Sequence, residues 1–247
     1  MFNLKDLLEH VDIVIHTAGI TSVPQTKEQS SPEIDNQIYK VGIEGTRVIL
    51  NNIRNNCLLV HLSTHVVYEG MQESFLKIEE SKSQCPILAY GCSKFQNEID
   101  IVNGNNEYLI LRLGSVYGYG EDATRWKILP NLFSKMSALN ETIKVFSSGE
   151  NIKPLIGLKD VCHIIKYLIQ FDFRNEIYHL VNEHKTVIEI AQICKKYNKN
   201  LRIEHTSDTI INNGYVLNND KLLKTGYKFQ QNIKTEISRM IKYWSNK

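Results

Sequence analysis

Two periodicities alternate through the first half of the chain, and that alternation limits the fold more than any other feature. Residues 11–19 form a short apolar run ending on small residues. Over 33–55 apolar residues return at helical spacing, at Ile34, Ile38, Val41, Val48 and Ile49. Residues 57–64 are a second apolar run, a polar insertion fills 69–86, and a helical stretch carrying Tyr90 and Lys94 follows. Residues 108–113 make a third run. Short, continuous apolar runs read as strands buried on both faces, which is the habit of parallel sheets. Helical crossovers between them imply right-handed connections. Ligands of such sheets bind beyond the carboxyl ends of the strands. Here those ends are Thr17-Ala18-Gly19, Ser63-Thr64 and Gly114-Ser115.

After Val116 the pattern changes. The spacing predicts helices over 127–139, 159–171, 187–197 and 233–244, with strands at 143–146, 155–158, 177–181 and 201–205. The expected fold class is α/β: an N-terminally truncated Rossmann-type parallel sheet with a small α/β C-terminal substrate lobe. Residues 1–118 are expected to form the Rossmann-like cofactor domain, to which 152–182 return. Residues 119–151 and 183–247 are expected to form the substrate lobe.

Composition excludes several function classes. The net charge of 247 residues is +2, and no Lys/Arg run is long enough for a nucleic-acid footprint. No apolar run reaches membrane-spanning length. Five cysteines are scattered without a C-x-x-C, which reads as reduced thiols and a cytoplasmic location, and the dispersed histidines predict no metal. His16 and His65 read as locally hydrogen-bonded residues.

Tyr90 and Lys94 share one helix face, four residues apart. An ammonium beside a phenol favours the phenolate, so the pair could work as an acid/base. The spacing alone says little: a chain with 12 tyrosines expects about one such pair by chance, and Tyr243–Lys247 also has it. Position gives it weight. Thr64 ends the preceding strand, and a hydroxyl there can hold a carbinol or carbonyl oxygen while Tyr90 exchanges its proton. A hydride must then come from a nicotinamide, since no side chain supplies one.

These residues stand among ordered matches to a family. Asp12-x-Val14-x-His16-x-Ala18, Gly45-Thr46-x-x-x-Leu50, Ser63-Thr64-x-x-Val67-Tyr68 and Tyr90-Gly91-x-Ser93-Lys94-x-x-x-Glu98 are followed by Leu111-Arg112-Leu113-Gly114-x-Val116-Tyr117-Gly118. Lys153-Pro154-x-Ile156-x-Leu158-x-Asp160-Val161 and Lys221-Leu222-x-x-x-Gly226-Tyr227 complete the set. Together they resemble the extended short-chain dehydrogenase/reductases, in the NAD(P)-dependent nucleotide-sugar epimerase/dehydratase branch. The resemblance implies Thr64, Tyr90 and Lys94 as catalytic residues. It implies Thr17, Ala18, Gly19, Ser63 and Lys94 as cofactor-binding residues for NAD or NADP. Ser115, Tyr117 and Lys153 are implied as contacts to a nucleotide-sugar substrate. The helices at 34–55 and 88–103 are the candidate surface for a homodimer.

Departures sharpen the expectation. The family opens with a strand and a G-x-x-G-x-x-G turn that holds the cofactor diphosphate at a helix N-terminus. This sequence lacks that unit. Gly118-x-Gly120-x-x-Ala123 is a decoy, since Val116 and Tyr117 separate it from the strand and two acids, Glu121-Asp122, would face the diphosphate. Gly42 and Ser115 stand where the family often has Asn, and Lys153 replaces an Arg, losing bidentate recognition but keeping charge. His65-Val66 follow Thr64, without the acids that a dehydratase needs. The expected activity is epimerisation at a hydroxyl/keto carbon of a nucleotide-activated sugar. A 4-keto-6-deoxysugar nucleotide reductase is the alternative, suggested by Ser63-Thr64-x-x-Val67-Tyr68-Glu69-Gly70. An alternative of another class is a cofactor-incompetent homologue acting as a binding or regulatory protein, or an inactive fragment.

Overall fold

The structure is a computed structural model that describes residues 4–21, 31–71, 77–119, 128–207 and 214–246. In chain order the elements begin α1 (Leu4–Leu8), β1 (Ile13–His16) and α2 (Pro32–Tyr39). A π-turn (Lys40–Glu44) leads into α3 (Gly45–Leu50), then β2 (Leu58–Thr64), a 3-10 turn (His65–Tyr68) and β3 (Lys77–Ile78). Next come α4 (Ala89–Val102), β4 (Tyr108–Leu113), β5 (Ser115–Tyr117), α5 (Leu129–Ala138), β6 (Ile143–Phe146) and β7 (Ile152–Gly157). The chain continues with α6 (Leu158–Gln170), β8 (Glu176–Leu180), β9 (Glu183–Thr186) and α7 (Val187–Tyr197). It closes with β10 (Ile203–Thr206), β11 (Val216–Leu217), α8 (Asp220–Lys224) and α9 (Ile233–Ser245). The decoy loop falls largely outside the described residues, at Gly120 and Ala123.

The chain divides into two compact units. The first comprises residues 1–72, 80–113 and 168–179; the second comprises 73–79, 114–167 and 180–247. In the first, a four-stranded sheet runs β1-β2-β4-β8, with β1/β2 and β2/β4 parallel. The three apolar runs of the sequence are the three strands β1, β2 and β4. Leu58, Leu59, Val60, Leu109, Ile110 and Leu111 are wholly or almost wholly buried, as central parallel strands require. One part of the core joins Leu8, Ile53, Cys57, Leu59, Ile101 and Ile110. The sheet is α/β with parallel crossovers, as the sequence pattern implies. The helix expected over 33–55 is interrupted. Its middle turn is a π-turn, and Gly42 within it packs so closely on α4 that an added Cβ would lie 2.1 Å from Ser93 Oγ.

In the second unit β5-β7-β9 form a small sheet, parallel between β5 and β7 and antiparallel between β7 and β9. Its core gathers Tyr117, Leu155, Ile190, Ile233 and Ile237 with Phe133 from α5. Thr186 caps α7 reciprocally with Glu189, a capping box that fixes where that helix begins. Asp160, wholly buried, accepts from the Tyr227 hydroxyl at 2.9 Å and from the backbone N–H groups of Gln230 and Gln231, both at 2.9 Å. Gln231 Oε1 in return accepts from Lys159 N at 2.8 Å, in the first turn of α6. This exchange ties the segment before α9 to the start of α6.

Candidate active site

The first turn of α4 carries Tyr90. Leu88, the residue before the helix, has no capping side chain, and the cap comes from Glu69. Its carboxylate accepts from Ile87 N at 2.8 Å and from Leu88 N at 2.5 Å. An acid at a helix N-terminus satisfies orphan N–H groups and complements the dipole. Gly91 allows this close approach, since an added Cβ would meet Glu69 Oε1, Pro86 and the Val66 carbonyl, each at 3.1 Å. Tyr90 is half-buried there.

One turn further, Lys94 is 6% exposed and its Nζ donates to the Leu62 carbonyl at 2.8 Å. Burial lowers its pKa from 10.5 to about 8, against an opposing pull from Glu98. Gly19, just beyond β1, lies beside it: an added Cβ there would come 3.9 Å from Nζ. Thr17, Ala18 and Gly19 are exposed. Thr64 ends β2 buried, and its Oγ1 accepts from Val66 N at 3.2 Å, capping the 3-10 turn. That bond uses a lone pair of the hydroxyl and leaves its proton to be donated.

Ser63 points elsewhere. Its hydroxyl donates to Glu98 Oε1 at 2.5 Å, and Glu98 is clamped by Arg112 through Nε at 3.1 Å and through the NH2 group at 2.6 Å. Arg112 also donates to the Tyr68 hydroxyl and to the Glu80 carbonyl at 2.8 Å, and Tyr68 meets His179 Nε2 at 2.9 Å. Arg112 and Glu98 are 1% and 3% exposed, so the pair locks α4 onto β4 from within. Burial holds the Tyr68 phenol well above its ordinary pKa, outweighing Arg112. Sequence reasoning did not single out Glu98 or Arg112 as a pair. The available signal was an arginine inside an otherwise apolar strand, which demands a buried acid.

His16 and His61 face each other across β1 and β2, with ring centroids 5.3 Å apart. His16 Nε2 contacts Thr46 Oγ1 at 3.0 Å, and that hydroxyl donates to the Gly42 carbonyl at 2.6 Å. Burial, then the Lys94 charge, lowers His16 to about 4, and the same causes in the same order push His61 well below its usual range. Both are neutral at pH 7. His61 was missed in the sequence, although a histidine in an apolar run was visible there.

The remaining predicted residues belong to the second unit. Ser115 is on β5 and pairs in register with Leu155, while Lys153 lies two residues earlier on the neighbouring β7. Lys153 is half-buried, and desolvation lowers its pKa. Tyr117 is wholly buried in the core. Burial, then the carboxylates of Glu183, Asp160 and Glu236, raises its pKa. Among the described residues there is no group of three or more His, Cys, Asp or Glu placed to hold a metal ion, and no helix long and apolar enough to cross a membrane.

The chain belongs to the NAD dependent epimerase/dehydratase family, whose model matches residues 2–182. It is 28% identical over 137 residues to a "Probable low-salt glycan biosynthesis reductase" of Haloferax volcanii, covering 56% of this chain and 44% of that protein. It is 28% identical over 113 residues to a dTDP-4-dehydrorhamnose reductase of Aggregatibacter actinomycetemcomitans, covering 45% of this chain and 36% of that protein. The chain thus matches less than half the length of either curated relative. Its fold is similar to that of a UDP-glucuronic acid 4-epimerase from Bacillus cereus solved with UDP-glucuronic acid and NAD. The TM-score is 0.84 at 17% identity, covering 99% of this chain and 79% of that one.

Proposed function

We propose that the chain carries the acid–base machinery of an NAD(P)-dependent epimerase acting on a nucleotide-activated sugar. The observation that carries this reading is the buried Lys94, whose Nζ donates to the Leu62 carbonyl one turn from Tyr90. Tyr90 exchanges a proton with a sugar hydroxyl, Thr64 holds the same oxygen with the proton its capping bond leaves over, and the Lys94 charge favours the phenolate. A bound nicotinamide would supply the hydride chemistry that no side chain can. The fit is good at one end of that cofactor: the open backbone at 17–19 beside the Lys94 ammonium suits a ribose hydroxyl. A diphosphate needs a glycine turn between strand and helix, and none of the described strands leads into G-x-x-G-x-x-G. Ser115 and Lys153 are assigned to the nucleotide's phosphates, where an anion would relieve the desolvated ammonium of Lys153. Tyr117, being wholly buried, would hold the 115–118 segment in place.

A second reading, a reductase of a 4-keto-6-deoxysugar nucleotide, is favoured by the name of one curated relative, a dTDP-4-dehydrorhamnose reductase; the other is also named a reductase. The test is a cofactor titration by calorimetry followed by assay. An epimerase interconverts UDP-sugar epimers without net change in nicotinamide absorbance. A reductase consumes reduced cofactor stoichiometrically with a 4-keto sugar nucleotide. Failure to bind NAD(H) or NADP(H) overturns both and leaves a binding or regulatory role.

A further inference from the structure

The reading above uses the tip of Lys94 and leaves the polar groups buried behind it unexplained. β2 is flanked by β1 and β4, and alternation along it places His61 on the same face as Ser63. Ser63 reaches Glu98 on α4, so His61 points into the layer that α4 covers. It is wholly buried, and among the described residues neither ring nitrogen has a hydrogen-bond partner. Asn97 stands on α4 three residues after Lys94, 1% exposed, and both its amide atoms are likewise without partners among the described residues. His16 cannot serve them through Nε2. The Thr46 hydroxyl gives its proton to Gly42, so it must receive one from His16 Nε2, which fixes the tautomer.

Four unpartnered buried polar atoms on β2 and on the helix that covers it are unusual, because native interiors satisfy such groups with protein or with bound water. What they share is Lys94. Its Nζ lies 2.8 Å from the carbonyl of Leu62, the residue after His61, and its charge reaches both imidazoles. An ammonium has three donors, and the Leu62 carbonyl takes one.

We propose that His61 and Asn97 are positioning residues for Lys94: with water bound between them, they solvate its ammonium from the core side. The role of that ammonium beside Tyr90 rests on the function proposed above; its solvation does not. Among the described residues the titratable groups tied to it are Glu98 on α4, His16 on β1 and His61 on β2, with Tyr90 one turn before it on α4; Glu98 is itself paired with Arg112 on β4. Neutral polar atoms at 61 and 97 steady the charged form of Lys94, and apolar replacements would strip that support.

The experiment reads Lys94 without turnover. The full chain is labelled with 13Cε-lysine, the Lys94 signal is assigned from Lys94→Arg, and its titration is followed by NMR. His61→Leu and Asn97→Leu are expected to lower the proton affinity of Lys94 about tenfold or more, and His61→Gln to restore most of it. In the wild-type chain, His61 ring protons are expected to show exchange-independent contacts to long-lived water, which keeps the proposal testable if the leucine variants fail to fold. A Lys94 titration unmoved in folded His61→Leu and Asn97→Leu, or a dry His61 in the wild type, overturns it. A chain with the expected Lys94 shifts but no activity on any sugar nucleotide would sink the proposed function and leave this inference standing.

Discussion

Tyr90 and Lys94 stand four residues apart on α4, and the burial of Lys94 gives that spacing a structural context. Lys94 is enclosed between α4 and β2 and spends a proton on a main-chain carbonyl. Replacing Tyr90 by Phe is expected to lower the turnover rate by about 10²–10⁴-fold with cofactor affinity unchanged, read from initial rates and a calorimetric titration. The histidines set an acid limit. His16 and His184 both stand near a pKa of 4 in the folded chain against an ordinary 6.5, each because burial disfavours the charged ring. The unfolded chain therefore binds more protons between these values, and stability should fall as pH drops from 6.5 towards 4. His184 Nε2 accepts the Leu217 N–H at 2.9 Å, which only an unprotonated nitrogen can do. Urea midpoints across that range should show a shallower decline in His184→Gln, which keeps an acceptor; an identical decline would remove His184 from the account. At this scale the sequence offered Tyr90, Lys94 and Thr64 as candidates through their order along the chain. It did not expose that Ser63 turns to Glu98, because a serine beside a strand end can face either layer.

The junction of the π-turn with α4 shows what an element boundary can hide. Apolar spacing over 33–55 fits one continuous helix, and the residues that spoil it, Gly42 and Gly45, look merely like weak helix formers. In the structure Gly42 is where two elements touch. A Cβ at that position would sit 2.1 Å from Ser93 Oγ and 3.4 Å from Ser93 Cβ. Gly42→Ala should cost about 1–3 kcal/mol in urea unfolding, and Gly42→Ala with Ser93→Ala should recover most of it, since the clashing oxygen is gone. Additive losses in that double-variant cycle would mean that the cost lies in the turn itself. Strands were the more legible elements, since β1, β2 and β4 follow directly from unbroken apolar runs. The short strands β3, β5, β9 and β11 were not, because β3, β5 and β11 have only two or three residues and β9, Glu183–Thr186, carries no apolar run.

On the scale of the whole molecule, two surfaces of the first unit stand out. The α2–α3 segment exposes Ile34, Val41 and Val48, and α4 exposes Ile99 and Val102. If these helices form the homodimer surface proposed from the sequence, light scattering should give twice the 28.5 kDa of one chain. Val41→Glu with Val48→Glu should return it to one chain with unchanged circular dichroism. A wild-type monomer at micromolar concentration would end that proposal. At the edge of the sheet, β1 has no strand on its outer side among the described residues, and Ile15 is 47% exposed. An open parallel edge of this kind invites another strand. The sequence by itself determined the α/β class, the parallel order of the three apolar strands and the strand ends at which chemistry can sit. These follow from periodicity and chain order, which are local properties. Only the tertiary structure decided that Arg112 clamps Glu98, that Gly42 is a contact and that His61 lies buried within reach of the Lys94 charge. Those are meetings of residues far apart in the chain, fixed by which face each element turns inward when sheet and helices pack.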